Sequence, residues 1–191
     1  MHDRDQPTKE QLRLESLARR DALGPAARHD KSAAIAQAAA SLAISPGTLV
    51  AGYLPIRSEA DIRPLMAALR QEGADLSLPA VIDRTTVEFR AFTAESALVG
   101  TGFGTTGPDD SAPVVQPDVL LMPLAAFDRK GSRIGYGAGH YDRAIAVLRA
   151  QGADPRLIGI AFDCQEVASV PAQAHDVPLH AVLTESGLRR F

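Results

Sequence analysis

The chain has 191 residues, enough for one well-buried core and suited to a single domain spanning 1–191. With 20 Lys and Arg against 23 Asp and Glu, its net charge is −3, which excludes a general electrostatic footprint for nucleic acid or an anionic membrane. The single cysteine, Cys164, excludes an internal disulfide framework or a cysteine metal cluster and fits a reducing compartment. The polar, acid-bearing start from Met1 to Pro7 is unlike a signal or transit peptide. No apolar run approaches the ~20 residues that span a bilayer, so the expectation is a soluble cytoplasmic protein.

Thr8-Lys9-Glu10-Gln11 predicts a helix start, with Thr8 as N-cap and Gln11 three residues on. Leu12, Leu14, Leu17 and Ala18 offer this helix an apolar side through about Leu23, and Gly24-Pro25 ends it. Alanine-rich 26–42 predicts a second helix. Thr48 to Leu54 reads as a buried strand, followed by a loop with two acids, Glu59 and Asp61. A helix is expected over Ile62 to Gln71, closed by Gly73, then a strand from Asp75 to Val81 interrupted by Pro79. Val87 to Phe92 alternates as a half-exposed strand does. Residues 100–117 carry many Gly, Pro, Asp and Ser without periodicity and read as one long loop, either functional or a surface excursion.

Val119 to Leu124 is a further buried strand, and His140 to Arg149 a helix. Between them stand Lys130, Arg133, glycines at 135, 137 and 139, and Asp142. Glycines let backbone N–H groups approach an anion, and a strand–loop–helix setting places a helix N-terminus beside it. The loop is neither a Walker A motif nor a dinucleotide fingerprint, because its spacing is wrong for both. Strands at Arg156–Phe162 and Ala181–Thr184 complete the pattern. Strands alternating with helices predict an α/β fold with a mainly parallel sheet. Ligands bind such sheets beyond the strands' carboxyl ends, where the polar clusters 55–61, 128–142 and 175–176 would gather.

Taken residue by residue, these clusters keep two readings each. Asp142 is either a first-turn acid complementing the helix dipole or a magnesium ligand beside phosphate. Asp176, after His175, is a turn residue or a second carboxylate for the same cation. Glu59 and Asp61 are helix-capping acids or ligand contacts. Lys9 and Arg13 form a solvated i, i+4 face or clasp one polyphosphate. His140, His175 and His180 lack zinc spacing, no serine sits in a nucleophile elbow, and Cys164 reads as a buried small residue.

Met122-Pro123-Leu124-Ala125-Ala126-Phe127-Asp128 followed by Gly131-Ser132-Arg133-Ile134-Gly135-Tyr136-Gly137-Ala138-Gly139-His140-Tyr141-Asp142-Arg143 resembles the signature of the 5-formyltetrahydrofolate cyclo-ligase (5,10-methenyltetrahydrofolate synthetase) family. The resemblance extends to Lys9-x-x-Leu12-Arg13, Tyr53-Leu54-Pro55-Ile56-x-x-Glu59-x-Asp61, Leu78-Pro79, Phe103-Gly104, His175-Asp176 and Leu183-Thr184-Glu185, in the family's order. It implies a three-layer α/β/α sandwich and an ATP- and magnesium-dependent ring closure of 5-formyltetrahydrofolate to 5,10-methenyltetrahydrofolate, through a phosphorylated formyl group. By the same resemblance Lys9, Arg13 and Arg133, Ile134, Gly135, Tyr136, Gly137, Ala138, Gly139, His140 and Tyr141 would hold ATP. Ile56, Glu59, Asp61, Tyr136 and Tyr141 would line the folate site, Arg133 and Tyr141 would serve catalysis, and Asp142 and Asp176 would support Mg2+. The implied partners are the two small-molecule substrates, with no nucleic acid or membrane and with the chain acting as a monomer. The chain departs from the family pattern at Ala138, where glycine is common, at His140, where tyrosine is common, and at Gly107, where a glutamate commonly precedes the proline. A non-catalytic nucleotide- or folate-binding paralogue and a sugar-phosphate isomerase or acyl-transfer enzyme on a similar sheet stand as alternatives.

Overall fold

The computed structural model describes residues 7–171, 173 and 176–191. Helix α1 covers Lys9–Asp21 and α2 covers Pro25–Gln37. Strand β1 is Leu49–Ala51, α3 is Arg63–Gln71, β2 is Asp75–Val81 and β3 is Val87–Ala91. A short pair follows, β4 at Leu98–Gly100 and β5 at Thr106–Pro108, then β6 at Val119–Pro123. A small hairpin joins β7, Ala126–Phe127, to β8, Arg133–Ile134. Helix α4 is His140–Ala150, and β9, β10 and β11 are Arg156–Ile160, Ala181–Thr184 and Gly187–Arg190.

The main sheet has the order β11-β10-β9-β6-β1-β2-β3. Its five inner strands are mutually parallel, and β3 and β11 close the two edges antiparallel. Both faces are covered, which is why the inner strands read as unbroken apolar runs. In β6, Val119 and Leu121 enter the core shared with α2 and α3, beside Ile35, Leu65 and Leu69. Leu120 and Met122 point the other way and join Ile145 and Leu148 of α4. Strands β9 and β10 divide similarly, Ile158, Ile160 and Leu183 to one side, Leu157 and Val182 to the other. The result is the expected α/β architecture, with helices on both faces of a mainly parallel sheet.

The capping box at Thr8 and Gln11 is formed as the sequence predicts. The buried face of α1 keeps Leu12 and part of Leu17 but not Leu14, and it includes polar residues. Leu12, Ser16 and Arg20 are buried, whereas Leu14 is 62% exposed. This helix lies over the β7–β8 hairpin rather than on the sheet, so polar partners replace part of an apolar core. The alanine-rich helix ends at Gln37, and a separate turn of 3-10 helix carries Ala39–Leu42.

Three strand expectations change. β1 stops at Ala51, where Gly52 packs against Met66: a Cβ there would come 2.1 Å from its sulfur. Pro79 does not interrupt β2, because the pairing with β1 has already ended at Ala51 opposite Ser77 and no ladder bond is lost. Residues 100–117 are not one irregular loop, since β5 folds back on β4 and packs beside β2. The edge strand β11 was not foreseen; its Leu188-Arg189-Arg190 has little apolar alternation to announce it.

Candidate active site

Going outward from β1, successive parallel strands lie on one side as β2 and on the other as β6, β9 and β10. The order of connection therefore reverses between β1 and β6, and ligands of doubly wound sheets bind in the crevice beyond such a point. A cavity of about 330 Å³ occupies this crevice. Tyr53 and Leu54 from the end of β1, Val81 from β2, and Met122 and Pro123 from β6 form its floor. Lys9 and Arg13 of α1, the stretch from Arg133 to Asp142, and Asp176 complete one end, while Ile56 and Glu59 line it from the loop after β1. Segments separated by more than a hundred residues thus meet at one opening.

The stretch after β8 is built to expose backbone. Gly137 and Gly139 take φ of +100° and +66°, conformations that side-chain-bearing residues seldom adopt. Ala138 between them is not in the left-handed region, so its Cβ is tolerated at that departure from the family pattern. Gly139 is also the N-cap of α4 and supplies no side chain to the helix start, leaving the first-turn N–H groups facing the loop. Arg13 holds this loop from beneath, its Nε donating to the Gly135 carbonyl at 2.8 Å.

The preceding hairpin turn is fixed by Asp128, which is 1% exposed. Its Oδ1 accepts from the backbone N–H groups of Lys130 and Ser132 at 2.9 and 3.0 Å, and its Oδ2 from that of Val170 at 2.9 Å. This aspartate organises backbone rather than facing the cavity. Arg143 plays a comparable part on the other side, donating to the Thr85, Arg84 and Ala138 carbonyls at 2.8, 3.0 and 2.5 Å. His140 Nε2 lies 3.1 Å from the Arg84 carbonyl oxygen. The helix that follows the glycines is thereby tied to the turn between β2 and β3.

Charged groups in the cavity meet in two pairs. Arg133 Nη2 donates to Asp142 Oδ1 at 2.6 Å, and Lys9 Nζ donates to Asp176 Oδ2 at 2.5 Å. Asp176 is further held by the Gln173 N–H at 2.6 Å. Arg133 Nε is buried and has no hydrogen-bond partner among the described residues. A buried guanidinium nitrogen left unmatched on a cavity wall suits an incoming anion. Asp142 and Asp176 offer the hard oxygen donors that magnesium takes. No group of three or more His, Cys, Asp and Glu comes together among the described residues, so a cation here would complete its shell with ligand and water oxygens.

The other end is less charged. Arg57 takes φ of +54°, which turns the loop so that Glu59 Oε2 accepts the Ile56 N–H at 2.9 Å. A left-handed arginine costs about 1–3 kcal/mol, a strain typical of functional loops. Glu59 is buried, and burial pushes its carboxyl above the usual range, against the opposing effects of the Ile56 N–H, Tyr136 and Arg20. Burial likewise raises the phenols of Tyr53, Tyr136 and Tyr141, so all three stay neutral at ordinary pH. Tyr136 and Tyr141 both face the cavity.

Of the residues singled out from sequence, Lys9, Arg13, Ile56, Glu59, Arg133 to Tyr141, Asp142 and Asp176 all line this one cavity. Asp61 does not: its carboxylate is taken by Arg63, at 2.9 Å to Nε and 2.6 Å to Nη2, and it accepts the Arg63 N–H at the start of α3. Its role is the helix-end one. His175 lies outside the described residues. His180 is structural, its Nδ1 accepting the Leu157 N–H at 2.8 Å, and the half-buried Cys164 has its thiol raised by burial, as an inert cysteine does. Sequence reasoning missed Arg20 and Ser58 beside the cavity, and Thr105 and Thr106 at the start of β5, which line it. Arg20 had a signal: with Lys9, Arg13 and Ser16 it falls on one helical stripe at i, i+4, i+7 and i+11.

Comparison with known proteins agrees with this geometry. Residues 5–185 match the model of the 5-formyltetrahydrofolate cyclo-ligase family. The Escherichia coli K12 5-formyltetrahydrofolate cyclo-ligase is 34% identical over 143 residues, covering 72% of this chain and 78% of the relative. That of Mycolicibacterium smegmatis is 31% identical over 186 residues, covering 93% of each. Among solved structures, 5,10-methenyltetrahydrofolate synthetase of Aquifex aeolicus superposes with a TM-score of 0.77 at 27% identity, covering 95% of this chain and 92% of that one. With the match running through nearly every segment that builds the cavity, the chain belongs to the 5-formyltetrahydrofolate cyclo-ligase family.

Proposed function

We propose that this protein closes 5-formyltetrahydrofolate to 5,10-methenyltetrahydrofolate at the expense of ATP, releasing ADP and phosphate. The observation that carries this reading is the polarity of one cavity. Lys9, Arg13, Arg133 and the backbone of 135–139 suit a polyanion, while Ile56, Glu59 and the tyrosines suit an aromatic ring that presents N–H groups, all within one lining. Two ligands of those chemistries would meet within a single crevice, as a transfer between them requires.

The formyl oxygen is a poor leaving group. Transfer of the γ-phosphoryl group to it breaks the bond to ADP and converts that oxygen into a phosphate ester. The folate N10 then attacks the formyl carbon and loses its proton, and phosphate departs with the former formyl oxygen. Arg133, inside the cavity beside Tyr141, is placed to meet charge that develops on the transferring group. The glycine stretch supplies N–H donors to the phosphates, with Lys9 and Arg13 neutralising them from α1. Asp142 and Asp176 are the residues that would hold magnesium, which neutralises phosphate charge when bound. Glu59 orients the folate by accepting from the N–H edge of its ring.

The test is direct. Folded protein mixed with 5-formyltetrahydrofolate, ATP and magnesium should generate methenyltetrahydrofolate absorbance, with one ADP formed per turnover and none of the absorbance without ATP. Absence of that absorbance from folded protein overturns the reading.

A further inference from the structure

Arg20 is one of the largest fully buried side chains of the protein, at 2% exposure, and the reaction as described does not use it. It stands at the end of α1, outside the cavity, and reaches two other segments. Its Nε donates to Ser58 Oγ at 2.9 Å and its Nη1 donates to Tyr136 Oη at 2.5 Å. Its guanidinium carbon also lies 5.6 Å from the centre of the Tyr136 ring. Ser58 and Tyr136 belong to two stretches that line the cavity: the loop after β1 and the glycine stretch.

The direction of these bonds is what matters. A guanidinium only donates, so both hydroxyl oxygens must accept from it. Each hydroxyl then has its own proton to give elsewhere. Ser58 gives its proton to Asp21 Oδ1. Tyr136 acts electrostatically on the neighbouring Glu59 carboxyl, and with one lone pair of its oxygen taken by Arg20 its proton is free to turn that way. One arginine thus fixes two hydroxyl oxygens, each with a carboxylate nearby. Glu59 accepts the Ile56 N–H through Oε2 and lines the cavity, so its other oxygen is an acceptor with the Tyr136 phenol in its surroundings.

We infer that Arg20 is a positioning residue for the folate end of the site: acting through Tyr136, it holds the Glu59 carboxylate as an oriented acceptor for a ring that presents N–H groups. The inference rests on the ring-closing reading above. Lysine cannot replace it, because a single ammonium lacks the fixed fork that reaches Ser58 and Tyr136 together.

The experiment is a two-residue cycle on the full chain, read by steady-state kinetics and by calorimetric binding of 5-formyltetrahydrofolate. Wild-type turnover is measured first; if it is absent, the reading and the inference fall together. With turnover established, Arg20→Lys should raise KM and the dissociation constant for 5-formyltetrahydrofolate about tenfold, as for one lost charged hydrogen bond, and leave KM for ATP within about twofold. In a Tyr136→Phe background, Arg20→Lys should add no further loss. An equal rise in both KM values, unchanged folate binding, or a full Arg20→Lys effect in the Tyr136→Phe background overturns the inference alone. Should Arg20→Lys fail to fold, Tyr136→Phe, which keeps the arginine and the ring stack, carries the same split between folate and ATP. Unchanged folate binding in that variant overturns the inference too.

Discussion

Arg133 and Asp142, nine residues apart in sequence, meet across the glycine stretch with Nη2 2.6 Å from Oδ1. The arginine side chain is 8% exposed and the aspartate 32%, so the pair is half in solvent and half in the cavity wall. Read from the sequence they were two separate charges, one for phosphate and one for metal. Folded, each is the other's partner, so a phosphate or cation binding here would either exchange with it or use the atoms it leaves over.

That exchange gives the first prediction. Asp142→Ala leaves a nearly buried guanidinium without its carboxylate and should cost about 1–3 kcal/mol of stability in denaturant titration. Arg133→Met on top of it should restore part of the loss, since both charges are then gone. If Asp142→Ala leaves stability unchanged, the pair is not formed in solution.

A second prediction separates the two aspartates of the motif. Asp128 accepts three backbone N–H groups and never faces the cavity. Asp128→Ala should lower stability by about 1–3 kcal/mol, because three backbone donors, one of them buried at Val170, lose their acceptor. Magnesium titrated against turnover at low temperature should show an unchanged half-saturation point in that variant. A shift there would give Asp128 a ligand role that its contacts oppose.

Glu59 makes the third. Its carboxyl is raised in the folded protein, burial being the largest cause. A folded acid with a raised pKa binds protons more readily than the unfolded chain. Its ionisation therefore subtracts stability as pH rises through the ordinary carboxylate range and beyond, and the loss is absent below that range. Glu59→Gln should accordingly be more stable than wild type at neutral pH, with the two curves converging in acid, while 5-formyltetrahydrofolate binding weakens. Thermal unfolding of both proteins across pH checks the sign.

The fourth concerns Gly107. A Cβ there would come 2.5 Å from the Pro79 carbonyl oxygen, a backbone atom with little room to give. Gly107→Ala should cost about 1–3 kcal/mol through overpacking. A neutral Gly107→Ala in chemical denaturation would show that β5 can lift away from β2.

The sequence by itself determined the features that local physics encodes. Unbroken apolar runs at 119–124 and 156–162 announce strands buried on both faces, and Thr8 with Gln11 announces a helix start. Glycines at 137 and 139 announce backbone that bends where other residues do not. Because those signals depend on near neighbours, the sheet class and the bent glycine stretch were legible in the sequence.

Only the tertiary structure decided which charged groups meet. Lys9 and Asp176 are 167 residues apart, and Arg20 and Tyr136 are 116 apart. Glu59 faces the cavity while Asp61, two residues on, turns to Arg63. Lys9 and Arg13, which could have been a solvated face of α1, share its inward side with Leu12, Ser16 and Arg20, since this helix packs against a polar cavity. Periodicity reports how a segment divides inside from outside. Which partner waits on the inside is set by how distant segments are brought together at the end of the sheet.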